Sequence, residues 1–94
     1  MEQSQVLIIV LMNDALVVLN GVLVYTETLS DHLMNNTAYD VTNAIAVALH
    51  VAPTTVDLYS YHERQAFIDR HGIEDEWDYD GFVRAVRADL QREV

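Results

Sequence analysis

The sequence predicts an α+β domain: an N-terminal three-stranded antiparallel meander packed with two or three helices. Three observations carry this. Residues 6–25 read VLIIVLMNDALVVLNGVLVY, a largely aliphatic run interrupted at Asn13-Asp14 and Asn20-Gly21. Val41, Ala44, Ile45, Ala48 and Leu49 recur at helical spacing, as do Phe82, Val83, Val86 and Leu90. With 94 residues, 51% of them hydrophobic, the chain is of a length and composition to bury one core.

The first run is long enough to raise the question of a membrane span. Asp14 at mid-bilayer would cost about 3 kcal/mol, and Asn-Gly between β-branched residues is a strong hairpin signal because both tolerate positive φ. The reading is therefore strands at 5–12, 15–19 and 22–27. Val6, Ile8, Val10 and Met12 face one way and Leu7, Ile9 and Leu11 the other, so both faces of the first strand are apolar. Antiparallel sheets usually leave one face wet. Two covers are thus needed, and a homodimer, with a second copy supplying one of them, is the expected arrangement. In a monomer the last helix is expected to take that place.

Residues 28–36 read as an irregular connection or a short helix. Thr37-Ala-Tyr-Asp40 has the form of a capping box opening the helix that Pro53 ends. The stretch from Thr54 to Tyr61 is β-branched and aromatic, and residues 55–61 suggest a fourth strand. The competing reading starts a helix at Thr54. Glu63 to His71 reads as helix with Gly72 as its C′ residue, and Arg84, Arg87 and Arg92 lie on the polar side of the last helix.

Fifteen acidic residues against five arginines and no lysine give a formal charge of −10, and the first basic residue is Arg64. Nucleic-acid binding depends on cations that displace phosphate counterions, so direct binding to DNA or RNA is disfavoured. An anionic membrane is disfavoured for the same reason. A basic protein surface is the partner such a field favours. There is no cysteine, and residues 1–5 form no secretory signal, so the expected location is the cytoplasm.

The densest charge is at Ile73–Gly81, IEDEWDYDG. Glu74, Asp75, Glu76, Trp77, Asp78, Tyr79 and Asp80 form the candidate partner-binding surface: carboxylates interleaved with aromatic anchors of the kind enriched at interfaces. Glu76, Asp78, Asp80 and Gly81 also match the first half of an EF-hand loop. Arg84 and Arg87 then stand where the later ligands belong, so a calcium-responsive module is only an alternative. Part of the acid has a local use, since Asp78 or Asp80 can cap the last helix. Ala44 to Tyr59 has the outline of a helix-turn-helix but carries no cation for phosphate. His32, His50, His62 and His71 show no metal-site spacing. No catalytic motif is present, and the reading is a non-enzyme with no cofactor and no metal.

In composition the chain resembles the DNA-mimic inhibitors, including anti-CRISPR and anti-restriction proteins, which are likewise small, acidic and free of catalytic motifs. That resemblance implies an inhibitor whose carboxylates stand in for phosphates on a nucleic-acid-binding partner. A structural or regulatory homodimer, charged for solubility only, is the second alternative.

Overall fold

The computed structural model describes residues 4–12, 14–28, 37–75 and 77–92. In chain order the elements are β1 (Val6–Val10), β2 (Asp14–Leu19), β3 (Val22–Thr28), α1 (Thr37–Leu49), β4 (Thr54–Asp57), α2 (Tyr61–His71) and α3 (Tyr79–Arg92). The class is α+β, as expected. One mixed sheet has the order β3-β2-β1-β4, in which the meander is antiparallel and β4 joins β1 in parallel.

The meander is registered by its turn. Asn20 (φ 51°) and Gly21 (φ 82°) both have positive φ, and Leu19 pairs with Val22 across them. Two positive φ values give the type I′ twist that matches flanking strands. The Asn20 side chain also accepts from the Gln5 N–H at 2.8 Å, which ties the turn to the start of β1. At the other end Leu11 N–H donates to Asp14 O, while Asn13 lies outside the described residues. Between Leu23 and Tyr25 the register shifts by one residue, so that Leu23 pairs with Val18 and Tyr25 with Val17. This bulge at Val24 sends Leu23 and Tyr25 to opposite faces of the sheet, and each packs in a different core.

Both faces of β1 and β2 are buried, and both covers come from the same chain. On one face Leu7, Ile9, Leu11, Leu16 and Val18 pack with Phe67, Phe82, Val83 and Val86 of α2 and α3. Phe67 and Phe82 stack with centroids 5.9 Å apart and planes 6° from parallel. On the other face Ile8, Ala15 and Val17 pack against Ala38, Val41 and Ile45 of α1. Neither face needs a second copy for its cover: α1 takes one, and the last helix, together with α2, takes the other, as expected of a single chain.

The stretch at 54–61 divides between its two readings. Residues 54–57 are the edge strand, and Tyr61 already begins α2, two residues before the expected start at Glu63. A strand where a recognition helix would stand also removes the helix-turn-helix outline. The capping-box reading is corrected too. Thr37 is the first helical residue, and Ala38 N–H in the first turn donates at 3.2 Å to Glu27 Oε2 of β3. Residues 29–36, where the irregular connection was expected, lie outside the described set.

α1 ends in a Schellman arrangement. Val51 N–H donates to Ala46 O at 3.0 Å and His50 N–H to Val47 O at 3.2 Å, with His50 at φ 57°. An L-residue with a full side chain is disfavoured there by about 1–2 kcal/mol. Because glycine loses more backbone entropy on folding, His50→Gly is expected to raise stability by up to about 1 kcal/mol, measured as a higher urea midpoint at unchanged slope.

Candidate functional site

α2 and α3 start at the same end of the molecule. Near the start of α2, Arg64 is 3% exposed; its guanidinium donates to Leu58 O at 3.3 Å and Tyr59 O at 2.8 Å, and lies 3.6 Å from Met12 Sδ. At the start of α3, the Tyr79 hydroxyl donates to Asp14 Oδ2 at 2.5 Å. Met12 and Asp14 flank the β1–β2 connection, so both helices begin beside it. Their far ends are joined where Asp89 Oδ2 meets Arg70 Nη2 at 3.1 Å and His71 Nε2 at 3.2 Å. The helices therefore run in the same sense. The acidic connection at 72–78 must return along the length of α2, about 16 Å for eleven residues.

That return path is fixed at both ends. Gly72 (φ 66°) closes α2, and Ile73 is buried in the core beside Phe67. At the other end Asp78 is the N-cap of α3: its Oδ1 accepts from Gly81 N–H at 3.1 Å, and its carbonyl accepts from Phe82 N–H. A β-carbon at Gly81 would stand 2.4 Å from Asp78 Oδ2, so glycine here lets the capping carboxylate fold against the backbone. Asp75 Oδ1 accepts from Trp77 N–H at 2.8 Å, shaping the turn between them.

The seven residues singled out in the sequence thus fall into different roles. Asp78 and Tyr79 are half-buried and hold the fold, one as a cap and the other through Asp14 and the core. Glu74, Asp75 and Asp80 are exposed and form no ion pair among the described residues. Trp77 is 66% exposed, so its ring belongs to the surface rather than the core. Glu76 lies outside the described residues. Two of the chain's arginines are directed elsewhere. Arg70 pairs with Asp89, and Arg87 lies over the β2–β3 turn, where a β-carbon at Gly21 would be 2.7 Å from its Nη1.

Sequence reasoning missed the neighbours of this surface. Met12, Tyr59 and Tyr61 are all exposed large side chains, gathered round the buried Arg64 at the end where α3 begins. The Arg64 guanidinium lies 5.8 Å from the centroid of the Tyr61 ring. Only the pairing of β4 with β1 brings residues 59–64 to Met12, so no local pattern announced this rim.

The calcium alternative lacks its loop. Asp80 and Gly81 lie in the first turn of a continuous helix, where an EF-hand needs extended ligand-bearing backbone, and Asp78 is turned to the helix N-terminus. Among the described residues no group of three His or carboxylate side chains is placed to hold a metal. His50 and His62 are exposed, and His32 lies outside the described residues. No described helix is long and apolar enough to cross a membrane. No family model, curated protein or solved structure matches the chain.

Two outcomes follow from this geometry. Asp78→Ala is expected to cost about 1 kcal/mol as a lost cap, and Asp80→Ala only a few tenths, by chemical denaturation. The hydrogen bond to Asp14, with burial and the Asp14 charge adding to it, pushes the Tyr79 phenol up to about 12. A raised folded-state value means stability that is complete below the ordinary tyrosine value near 10 and is lost as pH rises toward 12. Tyr79→Phe is expected to delete the highest-pH step of the tyrosinate absorbance titration and to flatten alkaline unfolding over that interval.

Proposed function

We propose that this chain is a non-enzymatic interaction protein that occupies a basic surface of a partner protein, in the manner of a DNA-mimic inhibitor of a nucleic-acid-binding protein. The observation that carries the reading is Trp77, two-thirds exposed in a stretch whose exposed carboxylates Glu74, Asp75 and Asp80 form no ion pair with a described residue. Burial of an aromatic ring at the centre of a contact supplies affinity, and the surrounding carboxylates supply steering and register. The division of labour within 74–80 supports it further. One carboxylate is enough to cap α3, and Asp78 does so; Asp75 shapes the turn to Trp77, and the side chains of Glu74 and Asp80 make no hydrogen bond or ion pair with a described residue.

In this reading Glu74, Asp75, Glu76 and Asp80 stand in for phosphates, Trp77 is the anchor, and Asp78 and Tyr79 hold the segment rigid against α3. Rigidity matters because ordering a loose segment on binding would offset much of what the contact gains. The partner's cationic groups are those it otherwise presents to nucleic acid, so duplex DNA competes for the same surface.

The test is affinity capture on the immobilised chain, followed by titration of the captured protein with and without duplex DNA. Glu74→Gln/Asp75→Asn/Glu76→Gln is expected to weaken binding about tenfold or more, roughly 1.4 kcal/mol, while stability changes by less than about 1 kcal/mol. Trp77→Ala is expected to weaken binding further and leave the thermal midpoint nearly unchanged. A core tryptophan would instead cost about 3–5 kcal/mol of stability. Binding that is insensitive to salt, to DNA and to the triple substitution would end this reading.

A further inference from the structure

The carboxylates are not spread evenly, and their absence marks a second surface. Between Asp14 and Glu27, and again between Asp40 and Asp57, no residue carries a fixed charge, and the one titratable side chain other than Tyr25 is His50 at the foot of α1. The fold brings these two stretches together, because α1 packs across β1, β2 and β3. It starts over the upper end of β3, where Glu27 meets its first turn, and ends toward the start of β4, which pairs with Leu7. Having crossed the sheet, it leaves the lower corner of β3 uncovered. Val22 is 61% exposed there, and on the outer side of α1 Val47 is 73% exposed between exposed Ala44 and Ala48.

We propose that a second copy of this chain docks on the outer face of α1 and the adjoining Val22 corner, forming a two-fold homodimer. Charge selects the occupant. Two copies, each with a formal charge of −10, repel wherever carboxylates meet, and this sector is where they can approach without opposing them. An antiparallel α1–α1′ crossing near Val47 sets the two Asp40 side chains about 21 Å apart along the helices, beyond the ~8 Å screening length of physiological salt. Ala44 and Ala48 are small enough to let the helices come close around Val47. Among the described residues on this face only Asp40 offers a basic partner a carboxylate, whereas the acidic connection offers several. The two surfaces are separate, so one molecule can use both.

Light scattering on the full chain tests this. The mass is expected to rise with concentration from 10.7 kDa to twice that value, and association should strengthen as NaCl is raised, because salt screens the repulsion between like-charged copies. That is the opposite sign to the salt response of a basic partner, so failure here and failure of the acidic contact are told apart. Val47→Glu and Ala44→Glu place a carboxylate at the crossing and are each expected to weaken the dimer about tenfold or more, with an unchanged circular dichroism spectrum since both positions are exposed in the single chain. The chain has no cysteine, so a spin label on Val47→Cys reports only its own counterpart and is expected to show dipolar broadening that vanishes on dilution with unlabelled protein. A mass fixed at 10.7 kDa at high concentration and high salt, or a dimer that survives both glutamates, would overturn the proposal.

Discussion

Everything in this molecule depends on β1 and β2 being apolar on both faces. Each buried Leu, Ile or Val contributes about 1.5–3 kcal/mol when taken from water, and these strands bury them alternately upward and downward. One layer of helices cannot satisfy such a sheet, so the chain divides into α1 on one side and α2 with α3 on the other. The bulge at Val24 extends the arrangement to the edge by giving Leu23 to one core and Tyr25 to the other.

The polar groups that this burial strands are then met across elements rather than within them. Glu27 of β3 reaches the first turn of α1, Asp14 of β2 accepts from Tyr79 of α3, and Arg64 of α2 takes the carbonyls that follow β4. Each is a side chain satisfying a neighbour's terminus or hydroxyl, and each lies at the edge of a core where an unmet group costs about 1–3 kcal/mol. The same carboxyl of Glu27 also accepts from the Tyr25 hydroxyl. Burial, the Glu27 charge and that bond together raise the Tyr25 phenol above its ordinary value.

This use of acid inside the fold gives meaning to the acid that remains outside it. Asp14, Glu27, Asp75, Asp78 and Asp89 each have a partner of the chain's own, whereas the side chains of Glu74 and Asp80 have none among the described residues. The connection that carries them is held at Ile73 and capped at Asp78, so the exposed charges and Trp77 stand on a fixed path. The α1 side is the converse, uncharged over two long stretches and apolar where it is most exposed.

What the sequence determined by itself was whatever local chemistry enforces. The Asn20-Gly21 turn, the helical spacing from Val41 to Leu49, the Gly72 stop and the capping role of one aspartate near Gly81 follow from backbone conformations and periodicities that are properties of a few adjacent residues. The two-faced character of β1 was equally legible, and with it the need for two covers. Which element supplies each cover was decided only by the tertiary structure, because α1 and α3 both offer apolar positions and nothing local ranks them. The same holds for the end of β4 at Asp57, where backbone pairing with β1 overrides the aromatic run, and for the first turn of α1, where the interacting carboxylate comes from Glu27 rather than from the Thr37-Asp40 pattern. Trp77 is exposed and Tyr79 half-buried, two residues apart in one acidic stretch, because Asp14 and the core lie on one side of the chain and water on the other. Composition sees both as aromatic; only the packing of distant strands assigns one to the fold and leaves the other to the surface.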